Sequence, residues 1–123
     1  ICCRLNLIDS VLFVGYQSNP YPYIKNADLF VLSSRWEGYV NVVIEAMVLG
    51  VEVVVTDCKS GPGTLLKNKL GYVLVPVDSP AALANGIIEG LLHSHDVSKF
   101  EVLLESHKLP NAVKQYLGEC VEN

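Results

Sequence analysis

Short runs of apolar residues alternate with helical patterns along most of this chain. The runs at 28–34 and 52–56 contain Leu, Val and Phe with little polar alternation. Continuous apolar runs of this length are typical of strands in a parallel sheet that is covered by helices on both faces. The chain is therefore predicted to be an α/β protein with a partial, doubly wound parallel sheet.

Turn and capping residues divide the pattern into elements. Gly50 is expected to end one helix, and Ser79 with Pro80 to begin another. The predicted elements, in chain order, are a helix tail over 1–8, a strand over 11–14, a short helical stretch up to Lys25, a strand over 29–33, a helix from about Val40 to Leu49, a strand over 52–56, a helix over 63–69, a strand over 72–75, a helix over 80–92 and two amphipathic helices from about 97 to 119, split at Pro110.

Two carboxylates stand eight positions apart where a predicted strand gives way to a helix. Glu37 lies in the loop, and Glu45 lies one to two turns into the helix. Open α/β sheets bind ligands at this edge, where helix N-termini attract anions. The backbone amides of Gly38, Tyr39 and Val40 suit a phosphate, while the carboxylates suit neutral hydroxyls. A nucleotide sugar carries both groups, with Glu37 facing the sugar and Glu45 facing the ribose.

Five blocks of sequence, of which this motif is one, follow one another in a fixed order between about residues 5 and 92. They are the runs 9–16, 37–47, 49–50, 53–62 and 71–76. This order resembles the donor-binding domain of the retaining GT-B glycosyltransferases of family 4. The run 56–62 is similar to the version found in bacterial enzymes that build capsular, O-antigen and lipopolysaccharide sugars.

The resemblance implies the Rossmann-like C-terminal half of a GT-B fold, which binds a nucleotide sugar, here expected to be UDP-linked. It implies sugar transfer with retention of configuration and without a metal or other cofactor, and it assigns no catalytic acid, base or nucleophile to this chain. The implied binding residues are Glu37, Gly38, Tyr39 and Val40 for the donor sugar, Glu45 for the ribose, and Gly15 and Tyr16 for the base.

Composition limits the classes of function that remain. With 123 residues, half of them hydrophobic, the chain can build one domain with a core. A net charge of -4 gives no basic field, so nucleic-acid binding is not expected. No apolar run reaches the roughly 18 residues of a membrane span, which predicts a soluble, cytoplasmic chain. Cys2 and Cys3 lack histidines at ligand spacing and are predicted to be free thiols, not zinc ligands.

Plainer explanations exist for several of these residues. Glu45 could be an ordinary exposed helix residue, and Glu37 a solvated loop residue that favours the helix N-terminus. Tyr16 could pack in the core instead of stacking on a base. Arg35 and Trp36 could line the cleft or simply lie at the surface.

The family has two further parts that this sequence does not include. One is an opening strand and loop with an Arg and a Lys for the pyrophosphate, and the other is an N-terminal domain that holds the acceptor. Residues 1–123 are therefore expected to form a single partial domain that is inactive alone and has an exposed sheet edge.

The full-length enzyme is expected to act on a glycan or lipid-linked acceptor, with peripheral membrane association compatible with that role. The alternative is a catalytically inactive nucleotide-binding or interaction module from a truncated gene.

Overall fold

The computed structural model describes residues 1–38, 40–59 and 72–92. Two 3₁₀ turns, Cys3–Leu5 and Ile8–Ser10, precede the regular elements. These are α1 (Tyr21–Lys25), β1 (Phe30–Leu32), α2 (Asn41–Val48), β2 (Val53–Thr56), β3 (Tyr72–Val75) and α3 (Pro80–Leu92). The helices predicted over 63–69 and beyond residue 96 lie outside the described residues.

The three strands form a parallel sheet in the order β1-β2-β3. Val53 of β2 stands beside Phe30 of β1 on one side and beside Tyr72 of β3 on the other. All four residues of β2 are buried, as the continuous apolar run predicts for a central strand. The parallel α/β architecture predicted from the sequence is confirmed.

Helices cover both faces of β2. Val53 and Val55 belong to a buried cluster with Val43 and Met47 of α2. Val54, which lies between them, faces the opposite side, since alternate residues of a strand point to opposite faces. There it lies against α3, which packs on β2 and β3. The sheet is therefore doubly wound, with α2 on one face and α3 on the other.

Two glycines allow α3 to approach the sheet closely. A Cβ atom on Gly86 would lie 2.6 Å from Cγ1 of Val75, and one on Gly90 would lie 2.8 Å from a methyl group of Leu29. Both glycines are buried and stand four positions apart, on one face of the helix. The backbone of α3 thus contacts the sheet where an ordinary helix residue would place a side chain.

The predicted boundaries of α2 and α3 hold to within one residue. After α2, the N–H of Gly50 donates to the carbonyl of Met47, and the N–H of Val51 donates to the carbonyl of Ala46, both at 3.0 Å. With Gly50 at a φ of 79°, this is a Schellman motif. At the start of α3 the N–H of Ala82 donates to Oγ of Ser79 at 3.3 Å, so the predicted N-cap is confirmed.

The predictions for the first 14 residues are wrong. In place of the helix predicted over 1–8 there are two 3₁₀ turns, Cys3–Leu5 and Ile8–Ser10, without a buried residue, and Asn6 leaves the first turn in the left-handed region. So short a segment needs tertiary packing to become an α-helix. The apolar run 11–14 is irregular, with Leu12 83% and Phe13 81% exposed. It has no partner strand among the described residues, and without a ladder an apolar run does not make a strand.

No helix within the described ranges combines the length and the apolar character needed to cross a bilayer.

Gly86→Ala is expected to lower the free energy of unfolding by about 1–3 kcal/mol, the usual cost of overpacking a core. The β-branched Val75 cannot move its methyl group without changing rotamer. Chemical denaturation would measure this loss. Asn85→Ala is the control: it also places alanine in α3, but at an exposed position, where helix propensity predicts a small gain. A gain at both positions would contradict the close packing.

Candidate functional site

The loops that follow the three strands meet at the carboxyl edge of the sheet. A pocket of about 260 Å³ opens there on the α3 side. It is lined by Ser33 and Arg35 after β1, by Thr56 at the end of β2, by Pro76, Asp78 and Ser79 between β3 and α3, and by Pro80 and Leu83 in the first turn of α3. Neither Glu37 nor Glu45 lines this pocket. The edge therefore has two parts, the pocket beside α3 and the start of α2.

The loop between β1 and α2 is tied to β2. The hydroxyl of Thr56 donates to the carbonyl of Ser34 and lies 3.3 Å from that of Leu32. Beyond the regular strands, Trp36 and Lys59 form an isolated parallel bridge. The loop that carries Glu37 thus follows the end of β2 instead of projecting freely into solvent.

An ion pair links the same loop to the segment before α3. Nε of Arg35 donates to Oδ1 of Asp78 at 2.6 Å, across 43 positions of sequence. Asp78 has a φ of 56°, a left-handed conformation that Asp tolerates better than most residues. Nothing in the local sequence around Asp78 indicates a partner so far along the chain. Arg35 lines the pocket, whereas Trp36 is largely exposed.

Glu37 is half-buried and has an internal hydrogen-bond donor. Oγ of Ser34 donates to Oε1 of Glu37 at 2.5 Å. This distance is typical of a charge-assisted bond between a hydroxyl and a carboxylate. One oxygen of Glu37 is therefore held within the loop, while the other is bonded to no side chain that the structure describes. The interpretation of Glu37 as a freely solvated residue is not supported.

Helix α2 begins one residue later than predicted, which changes the amides at its opening. Val40 is the N-cap, and its carbonyl accepts from the N–H groups of Val43 and Ile44 at 3.0 and 3.3 Å. The first helical N–H groups, those of Asn41 and Val42, have no acceptor inside the helix. Val40 itself is buried against the core, Gly38 is exposed, and Tyr39 lies outside the described residues.

Glu45 lies among apolar neighbours in the second turn of α2. Val42 and Ile44 around it are partly buried, and Ala46 is fully buried. Burial raises the pKa of the Glu45 carboxyl above its ordinary value. In the part of the chain that the structure describes, this carboxyl has neither a hydrogen-bond donor nor a cation beside it. Glu45 is thus not an ordinary exposed helix residue.

The residues predicted for base binding lie apart from the pocket lining. Gly15 has a φ of 65° and turns the chain after the exposed apolar run. Tyr16 is 92% exposed, so the alternative that it packs in the core is wrong. The described cysteines, Cys2, Cys3 and Cys58, are free thiols, as predicted for the first two. Within the described ranges no three His, Cys, Asp or Glu side chains cluster as metal ligands would.

Fold and site together define a class: a doubly wound α/β domain whose carboxyl edge carries a helix opening and two acidic side chains. Residues 2–93 match the family model described as glycosyl transferases group 1. The chain belongs to this glycosyltransferase family. The parallel strands and flanking helices that the structure describes are consistent with a Rossmann-like α/β architecture.

Individual relatives agree with this assignment. The chain is 36% identical, over 90% of its length, to an N-acetylgalactosamine-N,N'-diacetylbacillosaminyl-diphospho-undecaprenol 4-alpha-N-acetylgalactosaminyltransferase of Campylobacter jejuni. It is 32% identical, over 76% of its length, to a lipopolysaccharide 1,6-galactosyltransferase of Salmonella typhimurium. An uncharacterized glycosyltransferase of Methanocaldococcus jannaschii is 48% identical over 51% of the chain. The chain spans only 27%, 28% and 16% of these three relatives.

Glu45→Gln is expected to stabilise the ligand-free protein at neutral pH, by less than about 1 kcal/mol because the carboxyl is partly solvated. The folded state raises the pKa of Glu45, so it favours the protonated form and is penalised once the carboxyl ionises. The gain should be present at pH 7 and should vanish below about pH 4, where folded and unfolded carboxyls are both protonated.

Thermal unfolding across this pH range would test the expectation. Asp28→Asn is the matched control, because it removes the same charge at an exposed position just before β1. An equal change for both variants, or a gain for Glu45→Gln that persists at low pH, would show that desolvation of Glu45 is not the cause.

Proposed function

We propose that this chain is the donor-binding part of a retaining glycosyltransferase of the GT-B type. The donor is a nucleotide sugar, with UDP as the nucleotide, and the enzyme transfers a hexose-type sugar. Membership of the glycosyltransferase family supports the reaction class. The observation that carries the assignment of the site is the state of Glu45.

Partial burial of the Glu45 carboxylate removes some of its water without supplying a replacement donor among the described residues. Glu45 lies four residues after Asn41, hence about 6 Å along the helix from its opening. Helix side chains lean towards the N-terminus, which directs this carboxylate to the carboxyl edge of the sheet. Two ribose hydroxyls would supply the missing donors, and we assign Glu45 that role.

Glu37 suits the sugar of the donor. The hydroxyl of Ser34 donates to its Oε1, and this bond fixes the direction from which Oε2 can accept a hydrogen bond. A carboxylate held in this way suits hydroxyls at defined positions on a hexose ring. The position of Glu37 in the loop before α2, and not in the helix, separates it from the ribose contact proposed for Glu45.

The start of α2 would hold the diphosphate between these two contacts. The N–H groups of Asn41 and Val42, which have no acceptor inside the helix, would provide donors and a partial positive charge. Charge on the departing diphosphate would be stabilised in the same way, so we propose that neither a metal nor another cofactor takes part. Gly15 and Tyr16 would contact the base, for which the exposed ring of Tyr16 offers a stacking surface.

For the acceptor we propose a glycan or a lipid-linked sugar. The names of the Campylobacter and Salmonella relatives specify a diphospho-undecaprenol-linked saccharide and lipopolysaccharide, respectively. Such acceptors would place the full-length enzyme in the cytoplasm, at the inner face of the membrane, in polysaccharide biosynthesis. The present chain would supply the donor half of that reaction.

Saturation-transfer NMR of the chain with a series of nucleotide sugars tests this proposal directly. We expect signal transfer to the ribose and sugar protons of at least one UDP-linked sugar. Free hexoses are the control, since they lack both the diphosphate and the ribose. Absence of transfer from every nucleotide sugar, with the protein folded, would reject donor binding.

Glu45→Ala is expected to weaken binding of UDP and of the UDP-linked sugar by similar amounts, about 1–3 kcal/mol each. The reason is that the ribose is common to both ligands. Calorimetry on the two ligands measures the losses, and Asp28→Ala at the opposite edge controls for the change in net charge. Unaltered affinities in a folded variant would contradict the proposed contact between Glu45 and the ribose.

Glu37→Ala is expected to affect the binding of UDP and of the UDP-linked sugar differently. Binding of UDP should change little, whereas the UDP-linked sugar should lose about 1 kcal/mol or more, because it alone has the hexose hydroxyls. The same titrations give both values, and Asp28→Ala again serves as the control. Equal losses for the two ligands would mean that Glu37 acts on the nucleotide or on the loop.

A further inference from the structure

We infer that Ser34 and Thr56 are positioning residues that fix the Glu37 carboxylate and so help the site to distinguish a nucleotide sugar from the free nucleoside diphosphate. Neither residue needs to touch the donor for this. The inference rests on the proposed function, because it takes Glu37 to be the residue that contacts the sugar.

Ser34 acts on the carboxylate directly. Its hydroxyl donates to Oε1 of Glu37 at 2.5 Å, three positions along the same loop. A glutamate in a loop has three rotatable side-chain bonds, and holding it in one arrangement costs conformational entropy. The charge-assisted bond from Ser34 offsets that cost before any ligand arrives.

Thr56 acts on Ser34 through the backbone. Its hydroxyl donates to the carbonyl of Ser34 and also faces that of Leu32. Thr56 is 5% exposed, and it is the last residue of the central strand, so its position is fixed by the packing of β2. A β-branched side chain in such a place has little rotamer freedom. The rigid sheet thereby sets the backbone position of Ser34, and Ser34 sets the carboxylate.

Two other contacts restrain the same loop but are weaker candidates. The Arg35–Asp78 ion pair is largely exposed on both sides, with side-chain exposures of 74% and 60%. Exposed ion pairs contribute little and are screened by salt. Trp36 meets Lys59 through a single isolated bridge, and its side chain is mostly exposed. The buried hydroxyl of Thr56 is therefore the stronger restraint.

Ser34→Ala and Thr56→Val each remove one hydroxyl with little change in volume. Each is expected to weaken binding of the UDP-linked sugar about three- to ten-fold, the range for one lost hydrogen bond, and to change UDP binding less than two-fold. Thr56→Ser, which keeps the hydroxyl, should restore most of the affinity. Ser18→Ala, at an exposed position far along the chain from this loop, is the control for hydroxyl removal.

A double variant separates positioning from a general structural effect. In a Glu37→Ala background, Ser34→Ala should cause no further loss, because the group that Ser34 holds is already gone. Additive losses, or equal losses for both ligands in the single variants, would overturn the inference.

The ligand-free protein provides a second measurement that does not depend on donor binding. Scalar couplings across the first side-chain bond of Glu37 should report one rotamer in the parent protein and averaged rotamers in Ser34→Ala and Thr56→Val. Unchanged couplings in both variants would refute the positioning role even if donors bind. Altered couplings in a protein that binds no nucleotide sugar would reject the proposed function and leave the positioning role intact.

Discussion

Burial of the central strand on both faces is the constraint on which the rest of this structure depends. Val53, Val54 and Val55 are completely inaccessible to solvent, and they can be so only because α2 covers one face of β2 and α3 the other. The short strands provide few ladder bonds, so the sheet depends on this packing more than on its own hydrogen bonds. Gly86 and Gly90 contribute to this packing, since they let α3 lie directly on Val54.

The same strand organises the loops at its carboxyl end. Thr56 continues the buried run of β2, but its hydroxyl faces the carbonyls of Leu32 and Ser34 and so fixes where the next loop begins. Thr56 therefore belongs both to the buried part of β2 and to the candidate site. Stability and site geometry are coupled at this point, because the buried hydroxyl of Thr56 holds the start of the loop that carries Glu37.

Sequence reasoning succeeded where local chemistry decides the structure. The strand at 72–75, the Schellman end at Gly50 and the cap at Ser79 each follow from residues close in the chain. It failed for the run 11–14, because an apolar segment becomes a strand only beside a partner. It also missed the Arg35–Asp78 pair and the close approach at Gly86, since these contacts join distant segments that only packing brings together. The spacing of the two glutamates was enough to single them out, but it did not indicate that the hydroxyl of Ser34 donates a hydrogen bond to Glu37.

The carboxylates of the two glutamates are stabilised to different degrees, and this difference bears on the kind of ligand that they suit. Ser34 donates a hydrogen bond to Glu37, whereas Glu45 is partly desolvated and has no hydrogen-bond donor among the described residues. A purely anionic ligand would be repelled by both, and a neutral sugar would leave the N–H groups at the start of α2 unused. A ligand that combines an anion with hydroxyls on either side of it would use all three features, and the proposed nucleotide sugar is a ligand of this kind.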